Sequence, residues 1–185
     1  ACNAFLKNGS QFPDGMWEEA LRSLKHLEKK TGLRLGDPQR PLLVSCRSGA
    51  KFSMPGMMDT VLDIGLDDAV ADGLVRSTGD ERFVFDAYRR LVQMYGSVVL
   101  GIQSERFEAL LQGARVRSGV ASDSDLPASE LRGLVRSFKD EVFRVTKKPF
   151  PEAAIDQLRG AVMAVFSSWN GKRAIDYRNA SGIPH

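Results

Sequence analysis

"RPLLVSCRSGAKFSMPGMMDTVLDIGL", residues 40–66, is the stretch on which the fold turns. Residues 41–46 read as a continuous apolar run, bounded by a proline before it and by Arg47-Ser48-Gly49 after it. That is the pattern of a strand buried on both faces. No other segment reads as a strand, and a lone strand cannot satisfy its own ladder hydrogen bonds. Its partners are therefore expected outside this chain. After the Pro55-Gly56 bend, "MMDTVLDIGL" reads as a short helix stopped at Gly65.

On either side of this stretch the apolar residues recur at helical spacing. Residues 17–30, "WEEALRSLKHLEKK", place Trp17, Ala20, Leu21, Leu24 and Leu27 on one stripe, with acids first, lysines last and Gly32 as a C-terminal cap. Residues 81–101 stripe Phe85, Tyr88, Leu91, Val92, Tyr95 and Val99. A third helix, over 104–116, is expected to begin on a Ser104 cap and to bury Phe107, Leu110 and Leu111. Residues 130–146 carry Leu131, Leu134, Val135, Phe138, Val142 and Val145. The segment 151–170 opens on Pro151, suited to a first helical position, and stripes Ile155, Leu158, Val162, Val165 and Trp169. Between these helices, "RSGVASDSDLPAS" is rich in turn formers and reads as an exposed loop.

Composition narrows the class. A hydrophobic fraction of 43% with 26% charged residues suits a globular chain long enough to bury a core. No apolar run reaches the roughly 18 residues of a membrane span. The balance of 26 basic to 23 acidic residues is too even to indicate nucleic acid unless the charges cluster. Lys29-Lys30, Lys147-Lys148 and Lys172-Arg173 are read instead as cations at helix C-termini, where the macrodipole favours them. Cys2 and Cys46 fit neither a disulfide framework nor a metal-ligand spacing, so a reducing compartment is expected, the cytoplasm or, if a targeting segment precedes this stretch, an organelle. The opening without methionine and the close on Gly-Ile-Pro-His suggest excision from a longer polypeptide.

The chemistry centres on Arg47. An arginine at the end of a strand is held by its backbone, and its planar fork matches a phosphate or carboxylate. Ser48 and Gly49 allow the chain to turn and bring backbone N–H groups close to an anion. The competing structural reading pairs Arg47 with Asp59 or Asp63 to fix the loop. Asp59 is open to two roles, an acid linked to Mg²⁺ or a cap for a following helix. Met54 to Met58 suit an adaptable wall or ordinary core filling. Of the adjacent Arg89 and Arg90, about 100° apart on a helix, Arg90 is taken to face a site and Arg89 to meet solvent or an acid. His26 reads as a surface residue. No serine triad, Cys/His pair, zinc-binding HExxH run or Walker loop competes with this assembly.

The uninterrupted "SCRSGAKFSMPGMMDT" resembles the nucleotide-binding domain of the pyruvate phosphate dikinases, within the group that includes the phosphoenolpyruvate synthases. Similarity continues through "DTVLDIGLDDAV", "FDAYRRLVQMYG" and "GAVMAVFSSWNGKRAIDYRNASGIP", and is looser between residues 112 and 151. The resemblance implies an α+β, predominantly helical chain, part of an ATP-grasp-like domain. Residues 1–66 would belong to its N-terminal subdomain, 67–150 to a helical insertion with a lid or docking role, and 151–185 to helices returning to the nucleotide-binding part.

It further implies an enzyme interconverting ATP, phosphate and pyruvate with AMP, diphosphate and phosphoenolpyruvate through a phosphohistidine carrier. ATP and Mg²⁺ would serve the complete enzyme, and the phosphohistidine domain of the same polypeptide would be the partner, with a homodimer left open and neither membrane nor nucleic acid involved. Arg47 falls on the arginine that contacts the ATP phosphates, with Ser48, Gly49, Asp59 and Arg90 as further candidates. The glycine-rich segment with its lysine, the Mg²⁺-binding acids and the phosphocarrier histidine have no counterpart here, since neither His26 nor His185 has the carrier's context. This chain alone is therefore expected to be inactive. The alternatives are a non-catalytic helical module on the same scaffold, a synthase-like kinase and a basic nucleic-acid binder.

Overall fold

The computed structural model describes residues 2–49 and 58–183. The chain opens with α1 (Cys2–Lys7) and α2 (Met16–Thr31), the latter closed by Gly32 in the left-handed region as its sequence predicts. Two short strands follow, β1 (Arg34–Leu35) and β2 (Pro41–Leu42), paired in parallel. Between them the Asp37 carboxylate accepts from the backbone N–H groups of Gln39 (2.8 Å) and Arg40 (3.2 Å), so this turn holds itself.

Next come β3 (Val44–Arg47) and β4 (Thr60–Ile64), an antiparallel pair. Two expectations fail here. The partner of the strand lies within the chain, and residues 60–64 form a strand instead of a helix. A bulge explains the misreading. Val44 pairs with Ile64 and Cys46 with Val61, so Leu62 and Asp63 together stand opposite Ser45. The extra residue lets both Val61 and Ile64 face the core, each fully buried at a spacing of three, which mimics a helical repeat. Asp63 takes the left-handed conformation (φ 57°), which aspartate tolerates better than most residues. Gly65 follows at φ 112°, where a Cβ would lie 2.9 Å from both the Leu35 side chain and the Leu42 carbonyl. Nor is β3 buried on both faces: Ser45 and Arg47 are exposed, while Val44 and Cys46 pack against the core.

The remainder is helical: α3 (Asp68–Thr78), α4 (Glu81–Val98), α5 (Ser104–Ser118), a 3₁₀ turn at Asp123–Asp125, α6 (Ala128–Thr146), α7 (Ala154–Ser168) and α8 (Lys172–Ser181). Helix α4 is the hub, packing on α6, β4, α3, α5 and α7. Its stripe Phe85, Tyr88, Leu91, Val92 and Tyr95 is buried with Leu131, Leu134 and Phe138 of α6 and with Val61 and Ile64 of β4. Each such side chain contributes roughly 1.5–3 kcal/mol.

Several expected details differ. Residue Gln103, without a side-chain bond, is the N-cap of α5, and Ser104 lies inside the helix with its hydroxyl directed to Ser97. Pro151 lies ahead of α7, whose N-cap is Ala153. Val145 and Ile155, placed on apolar stripes, are exposed at 41% and 38%, because no element among the described residues covers them. The expected exposed loop at 117–129 holds the end of α5, the 3₁₀ turn and the start of α6. Its turn is clamped by arginines. Arg82 donates to the carbonyls of Asp123 and Leu126 (both 3.1 Å), and Arg115 reaches the Asp123 carboxylate at 2.5 Å.

Candidate functional site

The site grows from the strand pair. Antiparallel pairing puts Arg47 opposite Thr60 and Cys46 opposite Val61, so the two faces of the ribbon differ. Cys46 and Val61 turn toward the helices, whereas Arg47 is exposed on the opposite face. Burial pushes the Cys46 thiol up to about 11, which makes it an inert packing group and no nucleophile. Arg47 has no ion pair among the described residues, and neither Asp59 nor Asp63 neutralises it. Ser48 is half-buried and Gly49 is exposed, with open space where a Cβ would stand. The wall proposed for Met54 to Met58 lies outside the described residues except for Met58, which is half-buried.

Asp59 stands beside Thr60 and thus at the Arg47 end of the ribbon, but it caps no helix because a strand follows it. Its N–H donates to the Ser168 hydroxyl (3.2 Å), which itself donates to the Val165 carbonyl (2.7 Å). Its carboxylate accepts from Arg173 at 3.4 Å. Lys172 and Arg173 thus sit at the start of α8, the end where the helix dipole disfavours cations, contrary to their expected place at a C-terminus. Local acids compensate: Lys172 bonds Asp176 at 2.6 Å. The Arg173 guanidinium remains 70% exposed beside Asp59.

Arg90 is not brought beside Arg47. It approaches Asp63, three residues further along β4 and about 10 Å away by strand rise. Burial raises the pKa of Asp63, and the Arg90 charge partly offsets this. Arg90 is 57% exposed and is held by the Asp86 carboxylate at 2.9 Å. Arg89 points inward instead, only 4% exposed, bonded to Asp86 (2.7 Å) and reaching Asp123 (3.5 Å). His26 is exposed, and His185 lies outside the described residues.

Two features escaped sequence reading. The side chain of Gln157, fully buried on α7, accepts from the Gly65 N–H and donates to the carbonyls of Leu66 and Pro151, each at 2.9 Å. It ties the end of the strand ribbon to the segment leading into α7. Nearby, Lys139 bridges Asp68 and Glu152 (both 2.8 Å) while lying over the Tyr88 ring, whose hydroxyl donates to Asp68. Burial drives the Tyr88 pKa upward, helped by both acids. A glutamine inside an apolar stripe was the available signal for the first feature. The second joins three helices and the segment ahead of α7, and has no signature in one dimension.

Among the described residues no group of three or more His, Cys, Asp or Glu side chains is placed to hold a metal ion. No described helix is long and apolar enough to cross a membrane.

A strand ribbon covered by helices, with an exposed arginine at the end of β3, defines an α+β domain. Residues 5–185 match the family model described as the pyruvate phosphate dikinase AMP/ATP-binding domain, and the chain belongs to that family. It is 46% identical over 184 residues to the pyruvate, phosphate dikinase of Rhizobium meliloti (strain 1021), covering 100% of this chain and 20% of the relative. It is also 46% identical over 183 residues to the chloroplastic pyruvate, phosphate dikinase 1 of Oryza sativa subsp. japonica, covering 99% and 19%. The dikinase of Entamoeba histolytica is 43% identical over 177 residues, covering 96% and 20%. The chain thus spans about a fifth of the length of these curated relatives.

Proposed function

We propose that this chain forms part of the ATP-binding domain, of ATP-grasp type, in a pyruvate phosphate dikinase. The complete protein would interconvert ATP, phosphate and pyruvate with AMP, diphosphate and phosphoenolpyruvate through a phosphohistidine carrier. The observation that carries the reading is the exposed Arg47 guanidinium at the end of β3, unpaired among the described residues within a family whose model is of an AMP/ATP-binding domain. A fixed cation there offsets charge that spreads over the transferring phosphoryl oxygens. Ser48 and Gly49 supply close backbone approach, and Asp59, held by Ser168 and Arg173, closes the same end of the ribbon. Arg90 serves as a second cation further along. Residues 67–150 act as a helical cap over the strand ribbon. ATP would be bound as its Mg²⁺ complex in the complete protein.

The test is Arg47→Leu in the complete polypeptide that carries this chain. ATP-dependent phosphorylation of the carrier histidine should fall by a factor of about 10²–10³, the scale of losing one electrostatic transition-state contact. Exchange between pyruvate and phosphoenolpyruvate should persist. Phosphorylation within severalfold of wild type would refute the assignment.

A further inference from the structure

Resting on the reading of Arg90 as a nucleotide contact, we propose that Asp86 is a positioning residue for it, itself fixed by the buried Arg89. The two carboxylate oxygens of Asp86 do different things. Oδ1 accepts from Nε (2.9 Å) and Nη2 (2.7 Å) of Arg89, whereas Oδ2 lies 2.9 Å from Nη2 of Arg90. Such i,i+4 pairs on a helix surface are ordinarily weak because both long side chains are free to rotate. This one is different. Asp86 is 16% exposed, and its Oδ1 is engaged twice by a guanidinium whose side chain is 5% exposed, so the carboxylate cannot swing.

The support continues inward. Arg89 also reaches Asp123 at 3.5 Å and Gln93 Oε1 at 3.4 Å. Asp123 is gripped in turn by Arg115 through its carboxylate and by Arg82 through its carbonyl. The result is a continuous chain of ion pairs from the 3₁₀ turn to the exposed Arg90. Among the described residues only Nη2 of Arg90 is engaged, which leaves Nε and Nη1 to meet an anion. A guanidinium restrained at one nitrogen loses less side-chain freedom when an anion binds to the others.

The experiment is a double-mutant cycle read by ATP titration calorimetry on the complete polypeptide that carries this chain. Asp86→Asn should weaken ATP binding by about fivefold, within the range of coupled neighbours. Arg90→Ala should weaken it at least as much, and the double variant should bind no more weakly than Arg90→Ala alone, because Asp86 acts only through Arg90. A purely structural role would instead make the two losses multiply, which overturns the proposal. So does wild-type affinity in Asp86→Asn when Arg90→Ala is weakened. Should Asp86→Asn not fold, Asp86→Glu keeps the charge while displacing both bonds, and its loss must likewise vanish in the Arg90→Ala background. Wild-type affinity in Arg90→Ala overturns the reading of Arg90 as a nucleotide contact, and the positioning role falls with it, whereas the Arg47 assignment is tested separately.

Discussion

Replacing Gln157 by leucine probes the joint on which the strand ribbon rests. Three backbone groups depend on that one amide: the Gly65 N–H and the carbonyls of Leu66 and Pro151, all at 2.9 Å around a fully buried side chain. Leucine has nearly the same volume, so little cavity is created and the loss is almost wholly one of hydrogen bonding. A buried group left without a partner costs about 1–3 kcal/mol, and the N–H, with a single bond to make, bears the full penalty. Added apolar burial returns roughly 1 kcal/mol, leaving a net loss of about 3 kcal/mol. For a chain of this size, that lowers the melting temperature by about 6–12 °C. Thermal unfolding followed by far-ultraviolet circular dichroism measures it directly. A fall smaller than about 2 °C would show that water or a shifted backbone satisfies these groups, and the account of the joint would be wrong.

Gly73 of α3 lies where an added Cβ would stand 1.9 Å from the Pro38 carbonyl oxygen, so Gly73→Ala should destabilise by about 2–4 kcal/mol, whereas Gly133→Ala in α6, with open space around it, should stabilise by up to about 1 kcal/mol; denaturant titration of both separates them. Cys46, its thiol raised to about 11 by burial, should resist iodoacetamide at pH 8 while the unfolded chain reacts readily, because only the thiolate attacks; equal rates in the two states would contradict its placement.

Much of the helical architecture was legible in one dimension. The stripes over α4 and α6 follow the 3.6-residue period closely enough that nearly every residue assigned to them is buried, and Gly32 ends α2 as expected. The strand ribbon was not legible in the same way. Val61 and Ile64 stand three apart because a bulge adds a residue, and a spacing of three reads as helix wherever the partner strand is unknown. Arg47 does stand at the end of a strand, as its place in the sequence predicts. Which of Arg89 and Arg90 turns inward, and which acid each meets, depends on Asp123 from a distant turn.

From its residues alone the chain settles its family, most of its helical faces and the presence of a cation at the end of β3, because these rest on local order and on wording shared with relatives. Only three-dimensional packing decides that β4 completes β3, that Asp59 answers to Arg173 and that Arg89 reaches Asp123. Those outcomes depend on contacts between residues far apart in the chain, whose geometry is chosen by the shared core and not by any local preference.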